Sequence, residues 1–393
     1  MKQVSRPLLS RRSLLVTAAS AVACGLKKST PFHGFCFVAN QGGNSVAVVD
    51  LEHFRVRRRI SLDAAPTCVL AHPKGDPSAY VLAPDAGTVY EIETGRLQTA
   101  RRAKAGGQAI SMRMSPPGDA VWVLYRDPPA LQEIELKSMK PRTRVALQSV
   151  PDNFEVSWAR DEKTEPWAAV SSLQNSAITL ASLRGGQQYT IPLHAEPSML
   201  AFRRDNELLM VGSRDEKTLS LFDLDSRKRV VRLPLPVAPR HFQQNSDGWL
   251  FITGEGADGV VIAFPYSTEI WQTVMAGRAP GVMTICEQSD SEYLMVANPE
   301  SANVTVLDVS DEPRFLGVIG VGQGPCQILV TPGKRPDEQF VLVLNEVSGD
   351  MAVIRMLELT EPQLSSKPRF KSAALFTMIP LGERPVSGAI VAL

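Results

Sequence analysis

The sequence predicts an all-β chain folded as a single β-propeller of four-stranded blades. Three observations carry that expectation. One phrase recurs along the chain: an apolar strand, an Asn- or Gly-rich turn, a "V-x-V-x-D" strand, a third strand, then a Pro before a fourth. Its clearest copies are Phe37-Val38-Ala39-Asn40 with Val46-Ala47-Val48-Val49-Asp50, and Met295-Val296-Ala297-Asn298 with Val304-Thr305-Val306-Leu307-Asp308. The phrase returns every 41 to 45 residues over most of the chain, a period that in short strands belongs to propeller blades. Beyond the N-terminus, apolar residues alternate with period two and no long window keeps helical spacing.

The entrance to each fourth strand is the easiest marker. It falls at Pro66, Gln108-Ala109, Asn153-Phe154, Pro197, Pro239, Pro280, Pro325 and Pro385. The last interval is 60 residues, and its excess sits in the polar, Pro-containing stretch 358–371, read as an enlarged loop. Short apolar strands follow, such as Cys68-Val69-Leu70-Ala71 and Ile328-Leu329-Val330. Turns rich in Pro, Gly and Asp end them, as in Ser115-Pro116-Pro117-Gly118-Asp119.

The phrases Phe-Val-Ala-Asn and Ser-Val-Ala-Val-Val-Asp, with the later Pro, resemble the YVTN-type propeller repeat of YncE-like exported bacterial proteins. The resemblance covers nearly all of the chain past the leader. The third and fourth copies depart from it, with Val-Leu-Tyr-Arg-Asp and Ala-Val-Ser-Ser-Leu where the Asn would be. The resemblance implies that the strand after the Pro lines the central channel. The chain would then start on three outer strands, at about 36–62, and end on an inner one, 386–393. That C-terminal strand would complete the N-terminal blade and remove the open sheet edge between first and last blades. Eight blades are expected in the propeller domain 35–393, with seven as the alternative that merging of eroded copies would give.

The first residues read as an export signal. Arg11-Arg12-Ser13-Leu14-Leu15 opens a basic, then apolar, stretch that ends Ala21-Val22-Ala23-Cys24-Gly25. The h-region is too short to span a membrane. The paired arginines resemble a twin-arginine signal, with Val16 where Lys is usual. Cleavage would leave a short tail, 24–34, beginning at Cys24, the candidate for lipidation. A periplasmic or envelope-attached protein follows. Without the leader, 38 basic residues face 41 acidic ones, a net charge of about −3. That balance argues against nucleic acid as a partner. The basic run Arg55-Val56-Arg57-Arg58-Arg59 falls on an outermost strand, as a charged edge against aggregation or as a contact with an anionic surface.

The four later cysteines are Cys36, Cys68, Cys286 and Cys326. Register separates them. Cys286 and Cys326 are offset by five residues along neighbouring inner strands, about 16 Å, beyond the roughly 7 Å that a disulfide tolerates. Four buried, reduced thiols are expected. The Trp residues read as packing between blades.

Chemistry is expected at the channel mouth, where the loops into the inner strands converge. Arg240, His241, Arg278 and Arg384 would give it a basic half, with Asp152 and Glu155 across from part of it. Guanidinium groups in a concave mouth capture carboxylates or phosphates, unless neighbouring acids such as Glu383 already occupy them. Of the five histidines only His194 and His241 approach this end, so no metal site is expected. No haem-attachment motif, nucleophile elbow or P-loop occurs, and neither a cofactor nor a catalytic residue is assigned. The sequence thus points to a monomeric binding module for a protein, a glycan or a small anionic ligand. The alternative is an enzyme or subunit of the lactonase or quinoprotein amine dehydrogenase heavy-subunit type.

Overall fold

The computed structural model describes residues 32–393 except 73–76, 105, 158–164, 204, 265–268, 289–290, 334–337 and 359–370. The leader, Cys24 and most of the enlarged loop lie outside the described residues. The described chain forms eight four-stranded antiparallel sheets, the blades of a propeller. Blade 1 joins strands Gly34–Asn40, Ser45–Asp50 and Arg55–Ser61 to Pro385–Ala392, and blades 2 to 8 follow in chain order from Cys68–Ala71 to Lys371–Pro380. The strands that follow the Pro markers pack against one another in a closed ring around the axis.

Closure is as expected. Gly34–Asn40 pairs antiparallel with Pro385–Ala392, Cys36 opposite Ile390 and Val38 opposite Gly388. The inner strands begin at Cys68, Ala109, Asn153, Pro197, Ala238, Met283, Pro325 and Pro385, within three residues of the sequence markers.

Each blade buries both faces near the axis. Ser78–Ala83, Ala120–Tyr125 and Phe340–Asn345 are buried at every position, because each second strand is sandwiched between neighbouring blades. The core accordingly divides into eight clusters, one for each blade-to-blade interface. The closing interface has its own: Cys36, Val38 and Val49 of blade 1 meet Phe340, Leu342 and Val353 of blade 8. Truncating a side chain such as Phe340 to Ala removes contacts across that seam, at a cost of about 3–5 kcal/mol.

Two repeat letters acquire physical roles. The Asp that ends "V-x-V-x-D" caps the following turn: Asp308 Oδ1 accepts from the Ser310 amide at 3.1 Å and its hydroxyl at 2.8 Å, and Asp50 and Asp223 do the same for the turns after them. The Asn at the end of the second strand is fully buried at 40, 298 and 345. Its amide donates to Leu381 O from Asn40, to Asn303 Oδ1 from Asn298 and to Asp350 Oδ1 from Asn345.

The cysteines are free, as expected, but only Cys36 and Cys286 are buried; Cys68 and Cys326 are half-buried on inner strands that border the channel. The Trp expectation holds for Trp122, Trp167 and Trp249 and fails for Trp271; Trp158 lies outside the described residues. Trp122 packs between blades 3 and 4. Trp167 packs against the cluster between blades 4 and 5 and Trp249 against that between blades 6 and 7, each also meeting a ring of its own blade, Tyr189 and Phe264, whereas Trp271 meets Trp249 edge-on and is more than half exposed.

Candidate functional site

In an antiparallel blade, the loop into the inner strand and the turn between the second and third strands lie at the same end. The mouth is therefore built from two sets of loops. Between blades 6, 7 and 8 they enclose a groove of about 830 Å³, lined by Arg240, His241, Glu255, Asp258, Glu300 and Glu346, with Pro280, Cys326 and Val347 among its apolar walls.

Arg240 and His241 both reach this groove from the inner strand Ala238–Gln244. Arg240 donates to Glu255 at 3.2 Å, and Glu255 also takes Arg214 of blade 5 at 2.6 Å. The carboxylate thus sits between two guanidinium groups. Burial, reinforced by the Arg240 charge, pulls the His241 pKa below its ordinary 6.5. The ring is a neutral imidazole at pH 7, with one donor and one acceptor nitrogen.

Arg384 donates its Nε to Glu346 at 2.7 Å. Arg278 is exposed, and its guanidinium has no carboxylate partner among the described residues. Its backbone amide donates to Ser301 Oγ at 2.6 Å, while the next amide, of Ala279, donates to Asp258 Oδ1 at 3.0 Å. Neither Arg278 nor Arg384 lines the groove.

Asp152 and Glu155 lie in blade 4 and form a separate pair of contacts. Asp152 meets Arg126 at 3.2 Å and accepts from the Leu173 amide at 2.8 Å. Glu155 takes Arg113 of the neighbouring inner strand at 2.6 and 3.0 Å. Burial would lower the Arg113 pKa, but the Glu155 charge outweighs it and the net shift is upward.

The basic half expected at the mouth is therefore an alternation of charges. Arg240 and Arg384 are occupied by Glu255 and Glu346, not by Glu383. Those acids, with Asp258 and Glu300, are the groove residues that sequence reasoning missed. A signal existed: Glu300 and Glu346 stand one or two positions after the repeat Asn, in the second set of mouth loops. His194 is exposed on its loop and lies outside the groove. Cys326 faces the groove, where burial, with Glu346 adding to it, pushes its thiol up to about 12. It is a neutral thiol there, donating towards Pro385 O at 3.3 Å, and a poor nucleophile. Among the described residues no three His, Cys, Asp or Glu side chains converge as a metal site.

No family model matches the chain. No curated protein matches it either. Solved structures do. The dihydro-heme d1 dehydrogenase NirN, solved in complex with DHE, superposes at a TM-score of 0.65 and 15% identity over 91% of this chain and 75% of that one. A protein of unknown function from Desulfotomaculum acetoxidans gives 0.57 at 12% identity, over 91% and 99%. Hydrazine synthase of Kuenenia stuttgartiensis gives 0.52 at 17%, over 84% and 96%. At these identities the likeness is one of fold. The chain is an eight-bladed β-propeller, similar in architecture to those proteins.

Proposed function

We propose that this protein is an exported binding module of the cell envelope, of the YVTN propeller kind, that recognises a small polar ligand in the groove over blades 6 to 8. The observation that carries this reading is the groove itself. Its volume of about 830 Å³ falls in the range of small-molecule sites, with ionic side chains from three blades converging on apolar walls. Of its four carboxylates Glu255 and Glu346 are paired with arginines, while Asp258 and Glu300 have no guanidinium partner among the described residues, which favours a ligand bearing a protonated amine. An anionic ligand would instead have to displace Glu255 from Arg240, or bind outside the groove at Arg278. The experiment is a thermal-shift panel of amine-bearing and carboxylate-bearing sugars and amino acids. Amine-bearing compounds should raise Tm, and Glu300→Lys, at an exposed groove position, should abolish the rise. A panel in which carboxylates alone stabilise, unaffected by Glu300→Lys, contradicts the reading.

The second reading is an enzyme subunit. It is favoured by the structural likeness to two proteins described as a dehydrogenase and a synthase, and by a neutral His241 in the groove, able to accept a proton. Lactone hydrolysis by the purified protein with divalent metals, abolished by His241→Gln, would establish it over the binding reading.

A further inference from the structure

The outermost strands divide the rim into two unlike arcs. In blades 1, 2 and 3 they read RVRRRIS, QTARRAK and KPRTRVA, holding ten Lys and Arg and no acid, all ten exposed. The rest of the chain past residue 24 is strongly acidic, with 28 basic against 41 acidic residues. Some of the ten are engaged: Arg101 by Glu91, Arg102 by Asp63, Arg142 by Asp119 and Glu133. Arg55, Arg57, Arg58, Arg59, Lys104, Lys140 and Arg144 have no carboxylate partner among the described residues.

The arc is one continuous surface. The Arg58 guanidinium donates to Arg96 O of blade 2, and that of Arg101 donates to Leu136 O of blade 3, so side-chain bonds to carbonyls tie the outer strands of blades 1 and 2 to the next blade.

Protection of sheet edges alone does not explain it. That need is common to all eight outer strands. Ile270–Met275 of blade 6 has no charge at all, and Trp271, Met275 and Phe315 on the outer strands of blades 6 and 7 are more than half exposed. The charge is concentrated where it can act as one patch.

The path of the chain says which anion that patch meets. Phe32 packs against the same core cluster as Phe54 and Val56, and His33 lies 3.4 Å from Glu52. The chain therefore joins the ring beside the start of the Arg55–Ser61 strand. Phe32 stands eight positions after Cys24, a reach of about 26–29 Å at full extension. A lipid on Cys24 would keep the ring within that reach of a bilayer.

We propose that the outer arc of blades 1 to 3 rests on the anionic headgroups of the membrane to which the chain is tethered, setting the propeller's orientation there. The proposal rests on the export reading for its setting; adsorption itself is independent of export and of lipidation. Each basic residue close to an anionic surface raises partitioning about fivefold at low salt, and the effect falls with ionic strength.

The test uses residues 25–393, which retain every strand of the closed ring. They are sedimented with vesicles of phosphatidylcholine alone or with one third phosphatidylglycerol. Binding should require phosphatidylglycerol and fall at least tenfold between 50 and 500 mM salt. Arg57→Glu with Lys104→Glu should lower it at least tenfold, and Lys228→Glu with Arg229→Glu, an equal charge change in blade 5, should leave it within about twofold. Matching thermal melts check that each variant is folded. Equal adsorption to neutral vesicles, insensitivity to salt, or equal loss in the blade 5 control overturns the proposal. Failure of export in cells with vesicle binding intact would instead remove the tether reading and leave the arc.

Discussion

Gly277 lies against the side chain of Asn298 so closely that a Cβ at 277 would stand 2.6 Å from Asn298 Cγ. The same contact recurs at Gly322 with Asn345 and, less tightly, at Gly382 with Asn40. In each, the Gly of a Gly-x-x-Pro loop covers the buried Asn of the next or closing blade. The repeat Asn and Gly, some 20 residues apart in sequence or at opposite ends of the chain, form one lock that anchors the mouth loops. Gly277→Ala should cost about 1–3 kcal/mol through overpacking, read as a lower urea midpoint. Gly317→Ala, where a Cβ meets nothing within 4 Å, should stay within about 0.5 kcal/mol.

Asp308 predicts an acid limb in stability. Burial raises its pKa, but hydrogen bonds from Arg314 and Ser310 and the Arg314 charge outweigh burial, leaving it below the ordinary 3.8. A carboxyl whose folded pKa is depressed stabilises the fold at pH values above its unfolded value and loses that contribution as pH falls through the folded one. Asp308→Asn should therefore lower Tm at pH 6 and narrow the gap to wild type as pH drops from about 4 towards 2. A constant gap across that range argues against the assignment.

The Arg113–Glu155 contact joins the inner strands of blades 3 and 4, with each side chain about 30% exposed. Glu155→Gln leaves Arg113 half-buried against the Phe154 ring without its counter-ion. Loss of one partner should cost about 1–2 kcal/mol, below the fully buried value because solvent reaches the pair. Arg113→Met with Glu155→Leu should recover most of it. A thermodynamic cycle in urea measures the coupling.

Export carries its own expectation. Arg11→Lys with Arg12→Lys should hold the protein in the cytoplasm in cell fractionation. Cys24→Ser should leave export intact and release the protein from the membrane fraction at high salt. Unchanged fractionation of the arginine variant contradicts twin-arginine export.

Blade number, inner-strand register and ring closure were legible in the sequence because they follow from backbone pairing, which a repeat of fixed period dictates at every copy. Asp50 and Asp308 were visible for the same reason. The charges at the mouth were legible only in part. Arg240 and Arg384 come from the loops into inner strands, but Glu255 and Glu346 approach from the other set of turns, and the two sets meet through the antiparallel folding of each blade. Their pairing is a matter of side-chain reach in three dimensions, which a period does not encode. Trp271 escaped for a related reason: it stands on the outermost strand of blade 6, and a repeat period does not tell which outer-strand rings a neighbouring blade covers.

The central claim is that the groove over blades 6 to 8 holds the ligand, and His241 reports on it directly. The chain has five histidines, of which His241 alone lines the groove. With histidine labelled for NMR, titration of a stabilising amine-bearing compound should move the His241 imidazole signals and leave His33, His53, His72 and His194 in place. Saturable binding with His241 unmoved, or with shifts at the other histidines instead, contradicts the claim.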